Sequence, residues 1–498
     1  MSPDHPMSPI KNRIRGLAAN RACARLPTKV TLFVGFLSFL YGSSVFIIPS
    51  YTPLIEPDSQ SYIQFSPYRP AIYPTFLWLC RAAGLTLAQT TWVQTGLFAV
   101  ALAYLLAALI RSGFNRPIVA LLAVGLGANF LFSSFHRSIL SESLYFSLSA
   151  IAIACWIEYF KTAHIKPLMG AGLCLGLMIG TRFAGLGLLP VHLLAVVINR
   201  AKHRSVWPIL AVALLSCLVG VAGERILYIA YHGNASGSQS SDLLFGRAAM
   251  VIRPDMTFSG PRARSFEEIA NNLLVIFTPL QQAVREAPSI SVAAQLSAMY
   301  EALGHYSLSD ELKMMSDRER IPVPELKSEF AKQVLLQNII GYLKTTLLND
   351  FGQWSVAAQK FSPVATSLEA YAASRPSVSA GGKISPDLLH PQASALGVVY
   401  PVFLVCGVVT LVAAFGLIIF LVKPELATGR AGFYLLLASY FGAMCHSYTL
   451  FISMVNEWTP RFLMAAFLQI EVVGASIVLA AAYFMTTLSR RGRFDPSG

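Results

Sequence analysis

Residues 92–110 read WVQTGLFAVALAYLLAALI, a run without a single Asp, Glu, Lys or Arg. A bilayer core about 30 Å thick requires roughly 20 consecutive apolar residues in helical conformation. Long, mostly apolar runs also occupy residues 30–49 and 461–487. None of these runs shows the alternation between lipid-facing and polar residues that is typical of the strands of a membrane β-barrel. The sequence therefore predicts an all-α integral membrane protein.

The composition agrees with a chain that lies mostly in lipid. Of its 498 residues, 55% are hydrophobic and 13% are charged, and the mean hydropathy is +0.56. Soluble globular domains contain about 25% charged residues. The net charge of +13 could indicate nucleic-acid binding, but the Lys and Arg residues mostly form short clusters between apolar runs, without a nucleic-acid-binding motif. We therefore expect no nucleic-acid partner.

The basic clusters predict how the chain is threaded. Cytoplasmic loops of membrane proteins are enriched in Lys and Arg. If the basic residues 1–29 are cytoplasmic, ten segments cross alternately and each inner loop is basic. These segments are 30–49, 89–110, 117–134, 140–160, 167–181, 183–199, 206–230, 396–421, 431–454 and 461–487. We expect a multi-pass protein of the cell inner (plasma) membrane with both termini in the cytoplasm.

This threading divides the chain into five regions. They are a cytoplasmic basic tail (1–29), an N-terminal transmembrane module with the candidate catalytic residues (30–230), a large outer segment (231–395), the C-terminal transmembrane helices (396–487) and a cytoplasmic tail (488–498). The N-terminal module includes an acidic first outer loop (50–88), and the outer segment would be periplasmic or extracellular. Apolar residues recur every three or four positions in 265–284 and 325–351, so the outer segment is expected to be mostly helical. Residues 375–386 are predicted to form a loop.

A second set of charges breaks the positive-inside pattern and gathers on the predicted outer side. Its members are Glu56, Asp58, Arg69, Arg137, Glu142, Arg182, Glu457 and Arg461. A charge within a spanning segment costs roughly 2.5–3.5 kcal/mol on insertion scales and usually faces a bundle interior or a wet cavity. Separate segments are therefore expected to bring carboxylates and guanidinium groups to one depth near the outer leaflet.

Carboxylates and guanidinium groups together suit transfer chemistry on a phosphate-linked substrate. The planar donor fork of arginine matches a phosphate group, and a carboxylate can accept the proton of an attacking hydroxyl. Arginine also stabilises the phosphate as it leaves. A lipid phosphate head group would supply the anion at this depth.

Each of these residues also has a purely structural interpretation. Asp58 could be a solvated loop residue or a helix cap, and Glu142 could cap and charge the start of its helix. Arg182 and Arg461 could reach lipid head groups without a specific ligand. The tyrosines of the first outer loop fit an interfacial aromatic belt as well as a sugar platform. The convergence of several residues is what favours a site.

Five short motifs occur in order along the predicted outer side. They are EPDSQSY (56–62), YRPAIYPTFL (68–77), SESLYF (141–146), GTRFAGLGLLP (180–190) and TPRFLMAAF (459–467), which together cover about a tenth of the chain. In this order the motifs resemble those of the GT-C superfamily of membrane glycosyltransferases, which includes protein O-mannosyltransferases and the aminoarabinose transferase that modifies lipid A. The resemblance implies an inverting hexosyl or pentosyl transferase.

The resemblance implies a catalytic carboxylate in the acidic first loop. It gives this role to Asp58, as the general base of a single displacement, with Glu56 as the weaker candidate. Glu142 corresponds to an acidic position at a helix start that would orient the acceptor or a divalent metal ion. Many relatives carry two adjacent acids in this loop, whereas Pro57 separates them here, so a metal cofactor is left open.

The resemblance also implies a polyprenyl-phosphate-linked sugar as the donor. Arg182, Arg461 and Arg69 would bind the donor phosphate. Weaker substrate contacts are assigned to Glu56, Tyr62, Tyr73, Arg137 and Glu457. The acceptor would be a glycan, lipid or protein of the cell envelope, and neither it nor the sugar is specified.

Two other classes of protein remain as alternatives. A transporter or flippase for lipid-linked saccharides would also use basic residues and a wet cavity, although such proteins usually contain two repeated halves, which are not evident in this sequence. A membrane subunit that binds partner proteins through residues 231–395 is the other alternative.

Overall fold

Helices account for almost all of the secondary structure in the part that the computed structural model describes, which comprises residues 27–47, 53–56, 58–203, 205–233, 240–354, 390–455 and 460–491. The first ten helices are α1 (Thr28–Ile47), α2 (Ser59–Ile63), α3 (Ile72–Ala82), α4 (Leu87–Arg111), α5 (Arg116–Ala128), α6 (Phe130–Ser134), α7 (Glu142–Thr162), α8 (Ile165–Thr181), α9 (Leu189–Ile198) and α10 (Trp207–His232). The others are α11 (Ser240–Val251), α12 (Ala263–Arg285), α13 (Ile290–Tyr306), α14 (Ser309–Glu319), α15 (Val323–Gln337), α16 (Ile339–Trp354), α17 (His390–Val422), α18 (Arg430–Val455), α19 (Pro460–Ala465) and α20 (Phe467–Arg491). Short 3-10 turns occupy Phe183–Leu188, Arg200–Lys202 and Pro424–Ala427.

Seven of the described helices are long and apolar enough to cross a membrane, namely α1, α4, α7, α10, α17, α18 and α20. Three shorter apolar helices, Arg116–Ala128, Ile165–Thr181 and Phe183–Ile198, coincide with further predicted crossings. The all-helical class is therefore confirmed, and the seven helices are typical of a multi-pass membrane protein. The count of ten crossings, the choice of membrane and the cytoplasmic termini stay predictions.

Helix α7 lies at the centre of the bundle. Of its most apolar stretch, 78% is buried within the protein, compared with 17% for α10 and 22% for α17. Aromatic side chains such as Tyr145, Trp156 and Tyr159 are fully enclosed by neighbouring helices. Helices α10 and α17 thus present most of their apolar surface outward, where it suits lipid, whereas α7 positions groups at both of its ends.

Glycines bring α8 and α10 into close contact. Gly172, Gly176 and Gly180 follow one another at intervals of four residues, so they share one face of α8. A Cβ on Gly176 would lie 2.1 Å from the carbonyl oxygen of Cys217 on α10. Small residues allow such close approach of helix backbones in membranes. This contact determines where the C-terminal end of α8 lies.

The outer segment has a hydrophobic core of its own. Phe245, Phe266 and Phe330 belong to this core, which is built from helices α11 to α15. The predicted helix 265–284 is found as α12. The predicted stretch 325–351 is divided into α15 and α16 at Asn338, whose Nδ2 donates to the Val251 carbonyl at 2.7 Å and whose Oδ1 accepts from the Gly341 amide at 3.0 Å. Such a side chain competes with the helix backbone for hydrogen bonds. The predicted loop 375–386 lies outside the described residues.

A buried ion pair of the outer segment lies where this segment contacts the membrane bundle. Arg247 on α11 and Glu301 on α13 are both fully buried, with Nε and Oε1 2.7 Å apart. Arg247 Nη1 also donates to Thr346 Oγ1 at 3.1 Å and to the Ser453 carbonyl of α18 at 2.8 Å. Buried charges are tolerated only when they are paired and hydrogen-bonded. The contact therefore anchors the outer segment against α18.

Candidate functional site

The acidic first loop lies against the segment that precedes α7. The Leu54 amide donates to the Arg137 carbonyl at 2.9 Å, and the Ile139 amide donates to the Leu54 carbonyl at 3.1 Å. These two hydrogen bonds form a parallel bridge between Leu54 and Ser138. Because Asp58 follows shortly after Leu54, the bridge brings the loop next to the start of α7.

Asp58 forms an ion pair within the first loop. Arg69 Nη2 donates to Asp58 Oδ1 at 2.6 Å, and Arg69 Nε donates to Ser61 Oγ at 2.7 Å. The Arg69 guanidinium also lies over the Tyr62 ring, 4.6 Å from its centroid. The Asp58 side chain is 30% exposed and that of Arg69 only 12%. The carboxylate is therefore the more accessible partner of a charge-assisted hydrogen bond.

Tyr62 connects this loop to α7 and α3. Its hydroxyl makes a hydrogen bond of 3.0 Å with Ser141 Oγ, immediately before α7. Its ring packs edge-on against Tyr73 of α3, with centroids 5.2 Å apart. The Tyr73 hydroxyl donates to Gln94 Oε1 at 3.3 Å, and Gln94 Nε2 donates to the His136 carbonyl at 2.8 Å. Three separate segments thus hold the loop in one position.

A second ion pair joins the start of α7 to the end of α8. Arg182 Nη1 contacts Glu142 Oε1, and their side chains are only 10% and 1% exposed. Arg182 caps α8 by donating its amide hydrogen to the Met178 carbonyl at 2.8 Å. Its guanidinium is also within electrostatic reach of Tyr62 and Tyr448. Burial of both charges requires that they stay paired.

The two ion pairs form one cluster at one end of the bundle. It consists of Asp58, Arg69, Tyr62, Glu142 and Arg182, and Tyr62 connects the pairs because it packs against Arg69 and forms a hydrogen bond with Ser141, the residue before Glu142. Arg182 is paired with Glu142, and Asp58 is paired with Arg69. Two carboxylates and two guanidinium groups at close quarters offer a proton acceptor next to donors for an anion.

The remaining predicted residues lie around this cluster or outside the described chain. The amide of Glu56 donates to Ser59 Oγ at 2.8 Å. Tyr73 is fully buried, and Arg137 is 7% exposed. Arg461 belongs to α19, but its side chain is outside the described residues, as is Glu457 entirely.

Some cluster contacts had not been predicted from the sequence. Ser141 adjoins Glu142 in the SESLYF motif, so its position next to an acidic helix start was a usable signal. Tyr448 lies in the middle of the apolar helix α18, and nothing in its sequence surroundings marks it.

Glu471, which lies outside the cluster, was also overlooked, although an acid inside a predicted crossing is itself a signal. It lies beside α5, where a Cβ on Gly125 would be 2.8 Å from its Oε1.

Among the residues that the structure describes, no group of three or more His, Cys, Asp or Glu side chains could hold a metal ion. Compared with known protein families, with curated proteins and with solved structures, the chain gives no match. The roles of its residues therefore rest on the geometry of this chain and on general chemistry.

Proposed function

We propose that the protein is a membrane glycosyltransferase of the GT-C type, which moves a sugar from a polyprenyl-phosphate-linked donor to a glycan, lipid or protein acceptor on the outer face of the membrane. The observation that carries this proposal is the cluster around Tyr62, in which separated segments contribute two carboxylates and two guanidinium groups. Its Arg residues suit a phosphate, and its acids suit a hydroxyl nucleophile.

In the proposed reaction Asp58 is the general base. Its carboxylate accepts the proton of the acceptor hydroxyl while that oxygen forms a bond to the anomeric carbon. The bond between the anomeric carbon and the phosphate oxygen breaks in the same displacement, which inverts the configuration. Polyprenyl phosphate leaves with the electron pair of that bond. Arg69 holds the Asp58 carboxylate in place through their ion pair, and the 30% exposure of Asp58 leaves it accessible to a substrate.

Arg182, together with Arg461, would bind the donor phosphate. In the proposed complex the Arg182 guanidinium, positioned by Glu142, would donate to a phosphate oxygen of the donor. As negative charge develops on the leaving phosphate, a preorganised guanidinium stabilises it without reorganisation of solvent. Glu142 would then be a positioning residue, because it orients Arg182 from the start of α7.

The first test is transfer from a labelled donor. Membranes that contain the full chain supply their own acceptors, so the assay follows radiolabelled sugar as it leaves the polyprenyl-phosphate pool for other products. Asp58→Asn removes the proton acceptor and keeps the size of the side chain, so we expect transfer to fall at least about 100-fold. The control is Asp255→Asn, since Asp255 is 70% exposed on the outer segment.

Two outcomes would overturn the proposal. Retained transfer by a folded Asp58→Asn variant would remove Asp58 from the mechanism. Movement of the labelled lipid across liposomes that contain the purified chain, without transfer of its sugar in membranes, would instead identify a flippase. Membrane insertion of both variants is checked by their yield and monodispersity in detergent.

A further inference from the structure

A cavity of about 740 Å³ opens at the other end of the bundle. Helix α7 runs from Glu142 in the candidate site to Thr162 near this cavity, and its 21 residues span about 30 Å. The walls come from the turn between α4 and α5, the ends of α7 and α9, the residues that precede α18, and Tyr483 of α20. Its volume lies within the range of small-ligand sites, roughly 300–1,000 Å³.

Cations from four separate segments line this cavity. They are Arg111 at the end of α4, Lys161 at the end of α7, Lys202 after α9 and Arg430 at the start of α18. Glu425 is the carboxylate among the lining residues. Glu158 lies close by and is paired with Arg111. The four cations outnumber Glu425 and Glu158, so the described residues around the cavity carry a net positive charge.

Hydrogen bonds to the protein hold these cations in place without using all of their N–H donors. Lys202 Nζ donates to the Phe160 carbonyl at 2.9 Å, and Lys161 Nζ donates to the Arg111 carbonyl. Arg430 Nη1 donates to the Tyr483 hydroxyl at 2.5 Å. A lysine ammonium has three donors and a guanidinium has five, so each cation retains hydrogen-bond donors after these contacts.

Two further features of the cavity wall also favour an anion. Asn199 is 3% exposed and lines the cavity, so its side-chain amide is a buried polar group in the cavity wall. An amide nitrogen carries two N–H donors, so Asn199 can donate to an anion in the cavity as well as to a neighbouring side chain. The N-terminal end of α18 also borders the cavity, where Gly429 and Arg430 lie, and the N-terminus of a helix favours negative charge.

We propose that this cavity is a binding site for a phosphate-bearing anion. Enrichment of Lys and Arg at cytoplasmic loops explains why cations lie at this end of the bundle. It does not explain why they surround one cavity together with the buried donor of Asn199. Phosphate is the anion that both Arg and Lys bind in proteins, either bidentately or as a point charge. The site would take a phospholipid head group or a soluble phosphate compound, and it is independent of the proposed transferase activity.

The test measures binding to the purified full chain in a neutral detergent. One arm titrates inorganic pyrophosphate, a second uses short-chain phosphatidylglycerol, and a third uses short-chain phosphatidylcholine, whose phosphate is masked by a cationic group. Binding is followed by microscale thermophoresis at low and at physiological salt. We expect saturable binding in the first or second arm, and these two arms distinguish a soluble phosphate compound from a lipid head group.

The variants are Lys161→Gln, Arg430→Gln and their combination. Both side chains are exposed at the cavity, so the fold should tolerate the changes. We expect each single variant to weaken binding several-fold and the double variant at least tenfold. The matched control is Lys423→Gln, which removes an exposed cation from the same turn but outside the cavity lining, and it should bind as the wild type does.

A second variant tests the cavity without removing a cation. Asn199→Asp places a carboxylate where the buried amide lines the wall, so it should weaken binding by repulsion. Equal affinity of the wild type, the double variant and the Lys423 control would overturn the proposal, because the binding would then reflect general surface charge. Absence of saturable binding in both phosphate arms would overturn it as well. If the double variant does not fold, the single variants decide.

Discussion

The two ends of helix α7 show opposite ways of handling charge. At its start, Glu142 is 1% exposed and paired with Arg182, and the nearby Asp58 is paired with Arg69. At its other end, Lys161 is exposed and belongs to a set of cations that outnumber the nearby acids. The paired charges at the first end therefore nearly cancel, whereas the cations at the second end surround an open cavity.

This difference indicates where charge is structural and where it is available. A buried ion pair is strongly coupled to the fold, because removal of one partner leaves the other charge buried and unpaired. Exposed cations around an open cavity contribute little to stability, since water screens them. A substitution should therefore affect the fold at the first end and ligand affinity at the second.

The largest expected effect tests this contrast directly. Glu142→Gln leaves the Arg182 guanidinium, which is 10% exposed, without its carboxylate. We expect a loss of about 3–5 kcal/mol in the free energy of unfolding, measured by denaturant titration in mixed micelles. Glu425→Gln makes the same chemical change at the exposed end of the bundle and should cost less than about 0.5 kcal/mol. Similar losses in the two variants would break the contrast.

A second prediction concerns Asp350 on α16, which lies against Thr449 of α18. Burial raises the pKa of Asp350 from 3.8 to about 6, and the nearby Thr449 hydroxyl offsets only part of this rise. Since the pKa is higher in the folded state, this group stabilises the fold most below pH 4. Its contribution is lost as the pH rises through about 6, for a total on the order of 2 kcal/mol after allowance for screening at a partly exposed group.

Asp350→Asn should remove this pH dependence. The variant is expected to be more stable than the wild type at pH 7.5 and to lose the decrease in stability between pH 4 and pH 7. Thermal unfolding in detergent across this range measures the slope, and Asp255→Asn, at an exposed carboxylate of the outer segment, is the control. An unchanged slope would show that Asp350 is solvated in the folded protein.

The smallest expected effect concerns the exposed cations at the cavity end of α7. Lys161→Gln removes one exposed cation from the cavity, so the free energy of unfolding should change by no more than about 0.5 kcal/mol. The same denaturant titration that serves Glu142→Gln measures this value. A loss above about 1 kcal/mol would mean that the hydrogen bond from Lys161 to the Arg111 carbonyl is a structural requirement.

Much of the candidate cluster was within reach of sequence reasoning. Asp58, Arg69, Glu142 and Arg182 were all named, because charges beside apolar runs are conspicuous. The sequence did not show which of them pair with each other. Arg69 pairs with Asp58 within one loop, and Arg182 pairs with Glu142 from a different helix. Pairing of this kind depends on how α7 and α8 pack, which no local pattern records.

The cavity at the other end of the bundle was likewise not predictable from the sequence. Its cations were recognised only as markers of the cytoplasmic side, since each belongs to a different short cluster of the sequence. Their convergence results from the packing of α4, α7, α9 and α18. Asn199 gave no signal, because an Asn between an apolar run and a basic cluster is an ordinary helix end.

By itself, the sequence determined that the chain forms apolar helices, where most of them lie and which residues carry charge at their ends. These properties follow from the cost of exposing polar backbone to lipid and from the length needed to cross a bilayer, and both can be evaluated along a single stretch of chain. Only the tertiary structure decided that Asn338 divides a helix, that Glu142 holds Arg182 and that four cations surround one cavity. Those results depend on packing between distant segments, such as the close contact of Gly176 with Cys217. Contacts of this kind leave no periodic pattern in the sequence from which they could be predicted.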